Sequence, residues 1–368
     1  MQPLRKFASL FILHLLLAFM ACKLPVISPS TPPAPAPPAS PTPTLQAGLV
    51  EPLSSAQAPA YNPFGLMVDG RTARQRVQIA KSLGAVYFRP WDVDVSDWGG
   101  RCADRACESA LEEGLALVLT VRNGGQAGPP PLPSAPPADL NAYRLTLGVI
   151  LDRYHPEILV VENEETSSLY WSGSPEEYAV TLQAACAVAH EHSTPCTNGG
   201  LASQAVGLAT WASYIEQGQT AEACDFARRT LAHDQAEAFC GMKSVAELPE
   251  EAQASLAKVR GLLALYKPMG ADFINFHWYS PDAQALSEAV AFLEGAAGLP
   301  AMTNEFGLRE QDPQALRLIM ERLTQLGLRY AIAFSLDNQA VALQNADGSL
   351  RPNGEAFQAF ISETFGRR

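Results

Sequence analysis

The sequence predicts an α/β protein, a (β/α)8 TIM barrel, on three observations. Eight short apolar runs alternate with amphipathic segments over roughly 300 residues, a length that suits a barrel with insertions. Polar residues capable of chemistry stand at the carboxyl ends of several runs. No run is followed by the GxGxxG turn of a dinucleotide-binding open sheet. Such alternation implies parallel strands joined by right-handed crossovers, and eight repeats favour closure over a doubly wound sheet.

Two segments of other composition precede the barrel, which is expected over 60–368. Residues 1–22 have a basic start (Arg5, Lys6), an apolar stretch from Phe7 to Met20 and a small Ala21 before Cys22, the layout of an export signal that is short for a stable membrane span. "LAFMAC" resembles a bacterial lipoprotein processing box, which implies lipidation at Cys22 and a membrane anchor there. Residues 23–59 ("SPSTPPAPAPPASPTPT" and its flanks) lack the large apolar side chains that offset ordering entropy and read as a disordered, semi-rigid Pro-rich stalk. At about 3.1 Å per residue in polyproline II geometry it would reach roughly 100 Å.

The expected strands run over Phe64–Val68, Ala85–Pro90, Leu115–Val121, Ile158–Glu162, Pro195–Asn198, Phe273–His277, Ala301–Glu305 and Tyr330–Leu336. Each is short and apolar, as strands buried on both faces are. Amphipathic stretches at Thr72–Leu83, Asp139–Tyr154, Pro175–His192, Pro313–Leu326 and Gly354–Phe365 read as helices between or after them. The fifth and sixth strands lie far apart, and the interval from Gly199 to Ala271 is expected to hold extra helices on the face where barrels do chemistry.

Besides Cys22, six cysteines remain: Cys102, Cys107, Cys186, Cys196, Cys224 and Cys240. An even number in an exported chain favours disulfides, and sequence neighbours suggest Cys102 with Cys107, Cys186 with Cys196 and Cys224 with Cys240. There is no CxxC pair and the histidines are scattered, so neither a metal nor a cofactor is expected. With 26 Lys and Arg against 38 Asp and Glu the net charge is −12, which argues against nucleic-acid partners and anionic membrane surfaces.

In a barrel all carboxyl strand ends converge on one mouth. Reading those ends gathers Arg89, Glu162, Asn163, Glu164, His277, Tyr279, Asn304 and Glu305. Glutamates cost several kcal/mol to bury unpaired, so "ENEE" at the end of the fourth strand suggests carboxylates delivered into a cleft. Two carboxyls facing each other are what glycosidic cleavage requires: one protonates the departing oxygen and the other attacks or activates water. Glu162 shares strand parity with Glu164 and would point the same way along a regular strand; Glu164 is preferred because it follows Asn163. Glu165 reads as solvated or ion-paired. Trp98 and Trp171, in polar loops, are candidate sugar-stacking platforms. Trp91 and Trp278 stand open between platform and core, and Trp211 reads as structural. The loop "NGGQAGPPPLPSAPP" after the third strand reads as either cleft wall or plain surface.

These motifs carry a resemblance. "ENEE" resembles the Asn-Glu signature at the fourth strand of clan A retaining glycoside hydrolases, "TNEFG" their seventh-strand nucleophile motif, "FHWY" the His-x-Tyr of cellulase-like family five members, and "YFRPW" that family's second-strand arginine. The resemblance spans Tyr61 to Phe365, in the right order. It implies Glu164 as acid and base, Glu305 as nucleophile and Asn163 as partner of the sugar 2-hydroxyl. It further implies Tyr279 and Arg89 as holders of Glu305, His277 as a contact of Glu164 or substrate, and an oligo- or polysaccharide as partner. The third strand ends in "TVRNGG" without the family's histidine, and the eighth in "FSLDN" without its tryptophan. A non-catalytic carbohydrate-binding barrel is therefore the rival reading, and a metal-dependent hydrolase a second.

Overall fold

The computed structural model describes residues 61–68, 72–126, 131–335 and 340–366. The export segment, Cys22, the stalk and Leu336 lie outside these residues. Eight parallel strands form the barrel: β1 Phe64–Val68, β2 Tyr87–Phe88, β3 Ala116–Arg122, β4 Ile158–Val161, β5 Cys196–Asn198, β6 Ile274–Trp278, β7 Ala301–Phe306 and β8 Ala331–Ser335. Neighbours pair in the order β5-β4-β3-β2-β1-β8-β7-β6. The ring closes between β5 and β6 through the Thr197–Phe273 and Leu201–Phe276 bridges. β2 is shorter than its expected Ala85–Pro90 span, and a further pair, Val93–Asp94, continues its line against β3.

The helices that pack outside the ring are α1 Ala73–Ser82, α2 Ala106–Glu112, α3 Leu140–Tyr154, α4 Pro175–Glu191, α5 Ser203–Glu216, α6 Thr220–Thr230, α7 His233–Gly241, α8 Glu250–Tyr266, α9 Ala283–Ala297, α10 Pro313–Gln325 and α11 Pro352–Phe365. Their starts follow local chemistry. Thr72 and Ser174 make capping boxes with Gln75 and Glu177, and Asp139 and Asp312 accept from first-turn N–H groups. The interval between β5 and β6 holds α5 to α8, as its length requires. Arg229 of α6 ties this insertion to the rim after β6, pairing with Asp282 and Glu288 at 3.2 and 2.9 Å.

All three neighbour-paired disulfides form, with Cα separations of 5.8, 5.3 and 4.4 Å for Cys102–Cys107, Cys186–Cys196 and Cys224–Cys240. The second ties the α4 layer directly to β5. The last lies within the insertion.

Candidate active site

Val161 ends β4, and the residues after it abandon strand geometry. Glu162 and Glu164 take left-handed backbone, with φ of 67° and 42°, at a cost of about 1–2 kcal/mol each. Parity is thereby lost, which corrects the expectation that Glu162 and Glu164 point the same way. Glu162 turns beneath the loop after β3, accepting from the Asn123 N–H at 2.9 Å and meeting the Ser134 hydroxyl. Glu165 turns to the opposite side. It is fully buried, not solvated, and takes hydrogen bonds from the Tyr266 hydroxyl and Asn198 Nδ2 at 2.5 and 2.9 Å. Of the three, Glu164 alone reaches the mouth, with its side chain 19% exposed.

Two glycines after β5 make room for this turn. A Cβ on Gly199 would lie 2.7 Å from the carbonyl carbon of Glu162, and one on Gly200 would lie 2.3 Å from His277 Nε2. Gly200 also has a φ of +99°, a conformation that side chains disfavour. Sequence reasoning passed over this pair, although "NGG" at a strand end is the signal of close backbone approach.

β7 carries a second irregularity. Its register slips by one residue against both β6 and β8 between Met302 and Phe306. The Thr303 hydroxyl holds the bulge, bonding the N–H and carbonyl of Glu305 at 3.3 and 3.1 Å. Bulges re-aim side chains. Here Asn304 lies buried in the barrel core while Glu305, its neighbour in sequence, also faces the mouth.

Glu305 is held on three sides. Arg89 Nη1 donates to its Oε2 at 2.9 Å, the Tyr279 hydroxyl to its Oε1 at 2.5 Å, and His277 Nδ1 lies 3.7 Å away. Burial alone would raise its pKa. The His277 charge, the Arg89 guanidinium and the Tyr279 hydrogen bond outweigh that and hold it below the usual carboxylate value. Arg89 is itself buried, and its Nη1 also reaches the Asn304 carbonyl at 3.0 Å while its Nη2 reaches Asn163 Oδ1 at 3.1 Å and Asp92 at 3.4 Å. Asp92 was not among the residues singled out from sequence.

His277 stands between the two mouth glutamates. Its Nδ1 is 2.9 Å from Glu164 Oε1, and its Nε2 is 3.0 Å from Asn304 Oδ1. Burial would lower its pKa, but Glu305 and Glu164 together raise it. One donor atom each from Glu164, His277 and Glu305 lies within 4.8 Å of the others. That spacing would also suit a divalent cation, but the Arg89 guanidinium already supplies positive charge on Glu305 and would repel a metal ion.

The aromatic residues need correction. Trp171 is 1% exposed and packs edge-on to Tyr178, so it offers no face to a sugar. Trp98 packs edge-on to Tyr154 at the carboxyl end of α3, in the outer layer. Trp278 is also buried, and Trp211 packs on Phe239 inside the insertion. Trp91, like Trp98, is left half-exposed. It lines a cavity of about 300 Å³ with Asp92, Asp94, Arg122 and Gln126. Tyr170 joins the mouth: burial and then the charges of Glu164, Glu305 and Asp92 push its phenol up to about 12. The described part of the loop after β3 lines the Trp91 cavity with Gly124, Gly125 and Gln126, and further on the Ser134 N–H donates to the Tyr170 carbonyl at 2.8 Å.

No family model matches the sequence, and no curated protein matches it. Solved structures to which the chain is similar include a GH128 (subgroup III) curdlan-specific exo-β-1,3-glucanase from Blastomyces gilchristii, at 14% identity over 81% of this chain and 99% of that one, with a TM-score of 0.47. A GH128 (subgroup VI) exo-β-1,3-glucanase from Aureobasidium namibiae matches at 11% identity over 81% and 97%, with a TM-score of 0.49. A GH128 (subgroup VII) oligosaccharide-binding protein from Trichoderma gamsii matches at 11% over 86% and 100%, with a TM-score of 0.42. Likeness at this level is one of chain path, so what the site does must be judged on its own side chains.

Glu162 gives a pH signature. Ser134 has one hydroxyl proton but two oxygen neighbours, Glu162 and the Tyr170 carbonyl, the latter at 2.9 Å. When that proton goes to the Tyr170 carbonyl the Glu162 contact is completed by a carboxyl proton, and when it goes to Glu162 it favours the carboxylate. Burial pushes that carboxyl up to about 8, with Ser134, the Asn123 N–H and Arg122 opposing and Asp92 reinforcing. An unfolded chain would release this proton near 4.5, so stability falls as pH rises from there to about 8 and then levels off, by a few kcal/mol in all. Glu162→Gln, which keeps both hydrogen bonds, should abolish that slope relative to wild type in urea melts between pH 5 and 8. Equal slopes in the two proteins would contradict a neutral Glu162. Gly200→Ala should displace His277 and lower stability by roughly 1–3 kcal/mol, read as a reduced urea midpoint.

Proposed function

We propose that this chain hydrolyses a neutral β-linked glycan by double displacement, with retention of configuration. The observation that carries this reading is the approach of Glu164 and Glu305, one carboxylate oxygen of each within 4.8 Å of the other across a water-accessible mouth. Retaining chemistry needs carboxyls about 5–5.5 Å apart, whereas inversion needs roughly 6.5–9.5 Å to admit water.

The environments assign the roles. Glu305, whose charge Arg89 and Tyr279 stabilise whether or not His277 is protonated, is the nucleophile. Its oxygen bonds to the anomeric carbon as the glycosidic C–O bond breaks, and Glu164 protonates the departing oxygen. Glu164 then takes a proton from water, whose oxygen displaces Glu305 from the anomeric carbon. Asn163, whose Oδ1 is taken up by Arg89, presents its amide N–H groups to a sugar hydroxyl. Trp91 takes over the platform role expected of Trp98 and Trp171, beside the anchor of Glu305. Carboxylates at the mouth disfavour anionic polymers, so β-glucans are the first substrates to test. Three disulfides suit an oxidising compartment, which supports export; a lipid anchor at Cys22 rests on "LAFMAC" alone.

Wild type should release a β-anomeric product from β-glucans or aryl β-glycosides, seen by NMR before mutarotation, and Glu305→Gln should lower kcat by at least ~10³-fold. An α product would contradict retention. Absence of turnover with intact sugar binding would make the protein a carbohydrate-binding barrel, and activity lost to chelators would make it a metal enzyme. Trp91→Ala should raise KM roughly fivefold, for about 1 kcal/mol of lost stacking, with kcat little changed. An unchanged KM would remove Trp91 from the binding surface.

A further inference from the structure

We infer that Asn275 is a positioning residue that decides which ring nitrogen of His277 carries the proton, and so governs proton exchange between His277 and Glu164. The inference rests on the proposed role of Glu164 as acid and base, but its structural half stands without it.

Asn275 lies fully buried on β6, and both ends of its amide are fixed by main chain. Its Oδ1 accepts the Asn304 N–H at 2.9 Å, and its Nδ2 donates to the Asn198 carbonyl at 3.0 Å. Its amide therefore cannot flip without setting two donors and two acceptors against each other. With Nδ2 so fixed, its second N–H points at the Asn304 side chain, 2.9 Å away. The atom it meets there must be an acceptor, Asn304 Oδ1. That same oxygen lies 3.0 Å from His277 Nε2, so Nε2 must carry a proton. A neutral His277 then has its lone pair on Nδ1, the nitrogen 2.9 Å from Glu164 Oε1.

The consequence is chemical. A neutral ring with Nδ1–H would donate to Glu164 and stabilise its carboxylate, emptying the acid before substrate arrives. The ring fixed by Asn275 cannot do that while neutral. Any proton in the contact is either on Glu164 Oε1 or on His277 Nδ1, and it passes between them with no bond made or broken elsewhere. After Glu164 protonates a leaving group, the proton it later takes from water restores this pair. The charges facing His277 are Glu164 after β4, Glu305 on β7 and Arg89 after β2, with Glu165 behind the asparagine ladder and the Tyr279 hydroxyl on Glu305. Asn198 continues the ladder to Glu165, donating from Nδ2 at 2.9 Å and accepting the Asn275 N–H at 2.7 Å. None of these groups offers Nε2 a second acceptor that would release it from Asn304.

The test uses the whole protein labelled with ¹⁵N-histidine, with His277 assigned by its loss in His277→Ala. As pH is raised, the His277 signal should pass from imidazolium to the Nε2–H tautomer. A neutral Nδ1–H ring would overturn the inference, with or without glycosidase activity. Asn275→Ala should populate Nδ1–H and move the basic limb of kcat/KM down by about one pH unit. Hydrolysis of phenyl glycosides should fall about tenfold more than that of dinitrophenyl glycosides, whose leaving group needs no acid. Equal losses on both substrates with an unmoved pH profile would reduce Asn275 to a packing role. Should the variant not fold, the wild-type spectrum decides. An Nε2–H ring in a protein that turns over no glycoside would uphold the tautomer and reject the enzymatic reading instead.

Discussion

The mouth of this barrel depends on keeping one carboxylate, Glu305, charged where burial disfavours charge. A guanidinium, an imidazole and a phenol converge on it, and each is itself buried and in need of partners. Arg89 is compensated by Glu305, Asp92, Asn163 and the Asn304 carbonyl. Buried ionic groups of this sort contribute little net stability, since desolvation offsets attraction. What they provide is a fixed geometry, because every member is already committed to its neighbours.

Much of the polypeptide around the mouth departs from regular strand to bring those neighbours together. Left-handed backbone at Glu162 and Glu164 sends the three acids of 162–165 to three different places. A bulge in β7 lets Asn304 serve the core ladder while Glu305 serves the cleft. Two glycines after β5 bring that strand end within reach of both the β4 turn and His277. Local strain stored at such positions is typical of functional sites and is offset by packing elsewhere.

The barrel was legible from sequence because its signal is periodic: apolar runs of strand length recur with helices between them, and Thr72, Asp139, Ser174 and Asp312 mark helix starts. The neighbouring cysteines pair as their spacing suggested. Arg89, Asn163, Glu164, His277, Tyr279 and Glu305 do converge, because strand ends in a barrel must. Parity failed at Glu162 since it presumes a regular strand, and no residue type announces left-handed backbone at a glutamate. Glu165 failed for a related reason: its partners, Tyr266 and Asn198, come from elements remote in sequence. Trp98 and Trp171 were placed by the polarity of their loops, but a large aromatic in a polar loop can fold inward, and both pack on tyrosines instead. Asn275 gave no signal, since an asparagine in an apolar strand is informative only once its main-chain partners are known.

The central claim is that Glu305 becomes covalently bonded to sugar during turnover. A 2-deoxy-2-fluoro glycoside with a dinitrophenolate leaving group, which slows both steps but the second more, measures this directly by mass spectrometry of the intact and digested protein. The account predicts one equivalent of sugar on the peptide that contains Glu305, and none on Glu305→Gln. A label on another residue, or none from a substrate analogue whose parent glycoside is turned over, would contradict it.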